Sequence, residues 1–199
     1  MQNRSQETRD QIKTSAIDNF CRSGYDGASV AEICNQAGVS KGAFYHHFPS
    51  KQALFLAIME DWLNDLDRRL FNQKELKKPV PKTLQEMGST LGIVFKAASG
   101  QLPMFMEFLV QASRSPDIWE AVIAPYRKYQ QSFSQLITKG KVEGSFKNSI
   151  DAEGSAWVLM SLAVGILLQG VLDPEAADWT MVTNKGVQIV IEALRKGEP

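Results

Sequence analysis

Cysteine is scarce in this chain. Cys21 and Cys34 are the only two in 199 residues, too few for a disulfide framework and without metal-ligand spacing. Cys34 stands where one short helix must press on the next, a place for a small inert thiol. Histidine is equally scarce. His46 and His47 are the only two, and neighbours on a helix point about 100° apart. They therefore cannot grip one metal as histidines at i, i+4 do. Net charge is absent as well: 22 Lys and Arg balance 22 Asp and Glu, unlike a bulk nucleic-acid coat. There is no Gly-x-Ser-x-Gly elbow, phosphate-binding loop or dinucleotide fingerprint. No enzyme is expected, and neither a cofactor nor a metal. Sustained alternation of β-branched residues is missing too, which argues against strands. The polar start has no apolar leader, so a cytoplasmic protein is expected.

What is present is concentrated in residues 29–51, SVAEICNQAGVSKGAFYHHFPSK. Ser29 is placed to cap a helix, with Glu32 three residues on completing a capping box. Ile33, Cys34 and Ala37 then share one face. Gly38 suits a helix end, where positive φ is wanted. Ser40 can cap the next helix. There Phe44 and Phe48, four apart, face the core and leave Lys41, Tyr45 and His46 pointing outward. Helix, glycine turn, helix is the helix-turn-helix pattern, whose second helix enters the major groove. Residues 1–55 carry six Lys or Arg against five acids, net +1. Affinity for DNA must then come from a few placed cations rather than a broad field.

These residues resemble the TetR family of bacterial one-component regulators, from near Thr8 to about Ile58. The most specific part is Gly38-Val39-Ser40-Lys41-Gly42, then Phe44-Tyr45-His46-His47-Phe48, Ser50-Lys51 and Leu54-Phe55. The resemblance implies that Tyr45, His47 and Lys51 touch phosphates and that Lys41 and Gly42 lie at base-reading positions. Ser29, Ser40, Ala43 and His46 complete the expected DNA face. Ala43 replaces a threonine frequent in the family and Ala31 offers at most a methyl group, so the operator sequence does not carry over.

The rest of the chain reads as helices with turn signals between them. A first helix covers Glu7 to Ser23 and stops at Gly24. After the helix-turn-helix, a fourth runs from Lys51 to about Gln73, with Leu54, Ile58, Trp62, Leu66 and Leu70 recurring every four residues. At about 23 residues it spans roughly 35 Å, long enough to tie a DNA-binding domain to a second one. Lys77-Lys78-Pro79-Val80-Pro81 is a break. Five more helices are expected: Lys82–Ala98 (ended by Ser99-Gly100), Leu102–Ser113, Pro116–Val142, Asp151–Val171 and Asp178–Lys196. Pro125 should kink or split the third of these.

The expected fold is therefore all-α, with about nine helices. Residues 1–50 form a three-helix DNA-binding domain with a helix-turn-helix, and residues 51–199 a helical ligand-binding and dimerisation domain. The last two helices carry apolar stripes too wide for one partner. Trp157, Leu162, Gly165, Leu168, Val182, Gly186, Ile189 and Ala193 are expected at a homodimer interface. Residues 154–172 hold no charge and reach the lower length of a membrane span. Their glycines, serines and Gln169, without basic flanks, favour burial in protein over a membrane. Large soft side chains suggest a pocket for an apolar or aromatic molecule: Trp62, Phe95, Met104, Phe105, Phe108, Tyr126, Tyr129, Trp157 and Met160. Glu107 interrupts that run and is read as a solvated face. The function expected from all this is a ligand-responsive transcriptional repressor. It would bind a near-palindromic double-stranded operator as a homodimer and leave it when a small-molecule effector binds. The alternative is a constitutive or architectural DNA-binding protein with no such ligand.

Overall fold

The computed structural model describes residues 2–71, 77–98 and 100–196. Among the described residues the regular structure is nine helices and one isolated bridge, Phe146 to Arg195. They are α1 (Gln2–Gly27), α2 (Val30–Ala37), α3 (Lys41–His47), α4 (Lys51–Leu70), α5 (Val80–Ala98), α6 (Leu102–Ala112), α7 (Pro116–Val142), α8 (Ala152–Leu172) and α9 (Trp179–Leu194).

Most of these helices start at a short polar side chain that takes up free amides. Ser29 accepts from the Glu32 amide, and Glu32 answers to the Ser29 amide at 3.0 Å, a complete capping box. Ser40 accepts from Ala43 N–H at 3.1 Å and Ser50 from Ala53 N–H at 3.0 Å. Asp151 and Asp178 do the same for α8 and α9. Gly38 ends α2 at φ 67°, ψ 29°, the left-handed conformation that a side chain would strain.

Gly24 interrupts α1 where a stop was expected, at φ 73°, ψ 168°, and one further turn runs on to Gly27. Helix α7 spans Pro116–Val142, with Pro125 inside it and no split there. One local expectation changes. Helix α5 begins at Val80, so Pro81 sits in its first turn, where a missing amide costs nothing. The expected continuation of α4 to Gln73 and the stop at Ser99 fall outside the described residues.

The chain forms two compact units. One comprises residues 1–64 and 100–122, the other 65–99 and 123–199. The first half of α4 and residues Met104, Phe105, Phe108 and Ala112 of α6 share one buried cluster with the helix-turn-helix. In the first unit Phe20, Ile33, Phe44, Phe48, Leu54 and Phe55 are almost fully buried. Phe108 of α6 stacks on Phe55 with centroids 4.0 Å apart. In the second unit α5 and α9 lie so close that a Cβ on Gly88 would meet Val187 at 3.0 Å and one on Gly92 would meet Thr180 at 2.9 Å. Thr183, Val187, Ile191 and Leu194 form the buried face of α9.

Candidate nucleic-acid interface

Helix α3 is only seven residues long and too short to be stable alone. It is held from one side. Phe44 and Phe48 are buried in the core of the first unit, and the Ser40 hydroxyl closes its first turn. Arg9 holds its last turn: the guanidinium donates to the His47 carbonyl at 3.1 Å and lies over the Phe48 ring at 4.3 Å. A cation at the carbonyl end of a helix is the favourable arrangement. Nothing in the sequence signals this role, since Arg9 and His47 are 38 residues apart.

The opposite side of α3 is open. Lys41, Gly42, Tyr45 and His46 are exposed, Tyr45 at 53%, while Ala43 and His47 are half-buried. Ser29 and Ser40 are exposed beside it. The Tyr45 ring stands edge-on to Phe44 at 5.2 Å, which orients a large side chain that the core does not use. A Cβ on Gly42 would meet only the Ser40 hydroxyl, at an ordinary 3.7 Å. Among the described residues no packing requires glycine there. Partial burial, His46 and Arg9 together push the His47 pKa below the ordinary imidazole value.

Lys51 has partners within the chain. Its ammonium donates to three backbone carbonyls, Tyr25 at 2.7 Å, Ala28 at 2.9 Å and Asp26 at 3.3 Å, and lies 4.5 Å above the Tyr25 ring. Its three donors are used within the chain. Glu107, read as a solvated face, accepts from the Tyr25 amide at 3.0 Å.

The residues expected to line a ligand pocket fall in both units. Met104, Phe105 and Phe108 are buried in the core of the first unit, where α6 packs on α1 and α4, and Trp62 lies against Phe105 at 5.3 Å. Trp62 and Phe105 do line an open cleft of about 350 Å³ with Ile58, Lys13 and Asp61, all in that unit. In the second unit Tyr126 meets Trp157 at 5.9 Å and Tyr129 stacks on Phe71 at 6.0 Å, while Met160 is buried and Phe95 half-buried. Burial and Asp67 raise the Tyr129 pKa, so its phenol stays protonated. A separate apolar void of about 20 Å³ lies among Leu84, Met87, Leu91, Phe133, Leu159 and Ile166. That is far below the roughly 300–1,000 Å³ of a ligand pocket.

The residues expected at a dimer interface divide in two. Leu168, Ile189 and Ala193 are exposed, Trp157 is 42% exposed, and a Cβ on Gly165 would meet nothing within 4 Å among the described residues. Leu162 and Gly186 are satisfied inside the chain, where a Cβ on Gly186 would meet Leu162 at 2.9 Å. Val182 is half-buried. Helix α8 is long and apolar enough to cross a membrane by length and composition, and 22% of its most apolar window is buried.

Residues 14–58 match the family model for bacterial regulatory proteins of the tetR family, and residues 97–183 match the C-terminal model of BetI-type transcriptional repressors. The chain is similar to the HTH-type transcriptional regulator UidR of Escherichia coli K12, 27% identical over 89% of this chain and 87% of that protein. It is similar to the regulator CymR of Pseudomonas putida, 23% identical over 97% and 94%. Among solved structures it resembles a Rhodococcus transcriptional regulator, with TM-score 0.76, 21% identity and coverage of 96% and 99%. It also resembles the regulator FadR of Bacillus subtilis in complex with stearoyl-CoA, with TM-score 0.77, 16% identity and coverage of 93% and 98%. With its helix-turn-helix in the first unit and nine described helices in the order seen here, the chain belongs to the TetR family of transcriptional regulators, which are DNA-binding proteins and not enzymes.

Proposed function

We propose that this chain is a ligand-responsive repressor that binds a near-palindromic operator as a homodimer through α3. The observation that carries the reading is the division of α3 into a locked face and an idle one. Phe44 and Phe48 fix the helix, while Lys41, Gly42, Tyr45 and His46 are exposed. Lys41 and Gly42 are the base-reading positions, and Gly42 leaves room for close approach to a groove. Tyr45 and His47 meet phosphates, with Ser29, Ser40, Ala43 and His46 around them. Lys51 contributes by holding the backbone behind α3.

The partner copy covers the apolar face of α8 and α9. Trp157, Val158, Val164, Leu168 and Leu172 of α8 are exposed, with Met181 and Ile189 of α9. A patch of this kind marks association. Twofold pairing would present two α3 helices to half-sites about one helical turn, roughly 34–36 Å, apart. Three residues separate α4 from α3, and α4 continues into the second unit, so it is the covalent route for a signal from an effector.

The experiment is selection of duplexes from a random-sequence library by the wild-type chain. The expected product is an inverted repeat, and Tyr45→Ala should bind it about tenfold more weakly with unchanged helix content. A chain that selects no duplex, or a Tyr45→Ala variant that binds like wild type, overturns the reading.

A further inference from the structure

The connection between α1 and the reading helices is a single turn, Tyr25–Ala28. The bend at Gly24 interrupts α1 and leaves the next amides without helical acceptors. The turn is closed on itself by Ala28 N–H to the Gly24 carbonyl at 3.2 Å. Both of its ends are finished by charged side chains from distant parts of the chain. At the amide end, the Glu107 carboxylate of α6 accepts from Tyr25 N–H at 3.0 Å and from Asp26 N–H at 3.4 Å. Gln111, one turn further along α6, donates to the Asp26 carboxylate. At the carbonyl end stands the Lys51 ammonium with its three acceptors. An anion at the amide end and a cation at the carbonyl end is the polarity that a helical turn favours.

The turn leads straight into Ser29, the cap of α2. Its geometry therefore sets how α2, and α3 after it, leave α1. Gly24 is required twice. Its φ of 73° is strained for any side chain, and a Cβ would stand 2.9 Å from the Glu107 carboxylate.

We infer that Glu107, on a helix outside the helix-turn-helix, is a positioning residue for DNA reading: its carboxylate clamps the Tyr25–Ala28 turn that aims α2 and α3. This rests on α3 being the helix that reads DNA. Charge alone gives the opposite expectation for a mutant. Removing a carboxylate from a protein that binds a polyanion leaves affinity unchanged or raises it. Removing a clamp lowers it.

The test uses the duplex selected by the wild-type chain, with affinity read by fluorescence anisotropy. Glu107→Gln is expected to bind about tenfold more weakly, the loss of one charge-assisted hydrogen bond. Gly24→Ala, which displaces the carboxylate and strains the bend as well, is expected to bind at least as weakly. Glu107→Gln binding as well as wild type, or better, overturns the clamp alone. A wild-type chain that selects no duplex overturns the DNA reading and the clamp's role with it. If Glu107→Gln fails to fold, amide exchange on the wild-type chain decides. Slow exchange at Tyr25 and Asp26 supports the clamp, and loop-like exchange at both overturns it.

Discussion

At the scale of single residues, Lys51 is the instructive case. A cation in the first turn of a helix opposes the helix dipole, and a nearby phosphate is one way to explain it. The structure supplies another, the three carbonyls at the end of the Tyr25–Ala28 turn. Lys51→Met should lower unfolding stability by about 1.5–3 kcal/mol, the range for hydrogen bonds to a charged group, measured in urea. Unchanged stability together with lost DNA binding would return the residue to the phosphate face. His47 makes a prediction with two signs. Its folded pKa is depressed by burial, His46 and Arg9. As pH falls through the ordinary imidazole range the unfolded chain takes up a proton first, so stability declines on acidification. A phosphate beside the ring favours the charged form, so operator affinity should rise over the same interval and His47→Gln should flatten the rise. An affinity that is flat in wild type removes His47 from the phosphate contacts.

At the scale of elements, the helix starts were legible because caps are local. Ser29, Glu32, Ser40, Ser50, Asp151 and Asp178 act within three residues of themselves. Ser29→Ala should cost about 1 kcal/mol of stability. The Ser29 hydrogen bonds also hold the Glu32 carboxyl below its ordinary pKa. Its stabilising contribution is therefore present above the ordinary carboxylate range and lost as pH falls through it. The position of α6 was not legible. Met104, Phe105 and Phe108 read as pocket walls because an aromatic stripe looks the same whether it faces a ligand or Phe55. Phe108→Ala should cost about 3–5 kcal/mol and loosen the DNA-reading unit in thermal unfolding. A near-silent substitution would mean that α6 is not part of that core.

At the scale of the whole molecule, the exposed stripe on α8 and α9 separates a dimer from a monomer. Leu168 is 39% exposed and Ile189 55%, so a charge at either position is tolerated by a single chain and expelled from an apolar interface. Leu168→Glu should keep its helix content, raise the dimer dissociation constant by about a hundredfold or more, and weaken operator binding with it. Sedimentation velocity without detergent measures the first. A wild-type chain that sediments as one copy at micromolar concentration removes the dimer and the palindrome together. Leu162 and Gly186, expected on the same interface, instead fit each other inside one chain. Periodicity shows that a face is apolar but not which neighbour covers it.

Sequence alone determined the helices, their caps, the helix-turn-helix and the family, because each depends on residues within one or two turns of one another. Tertiary structure decided what Arg9, Lys51 and Glu107 hold, where α6 belongs and how the units divide. Those depend on contacts between residues 23 to 82 positions apart, and no local pattern records which distant backbone group a charged side chain will reach.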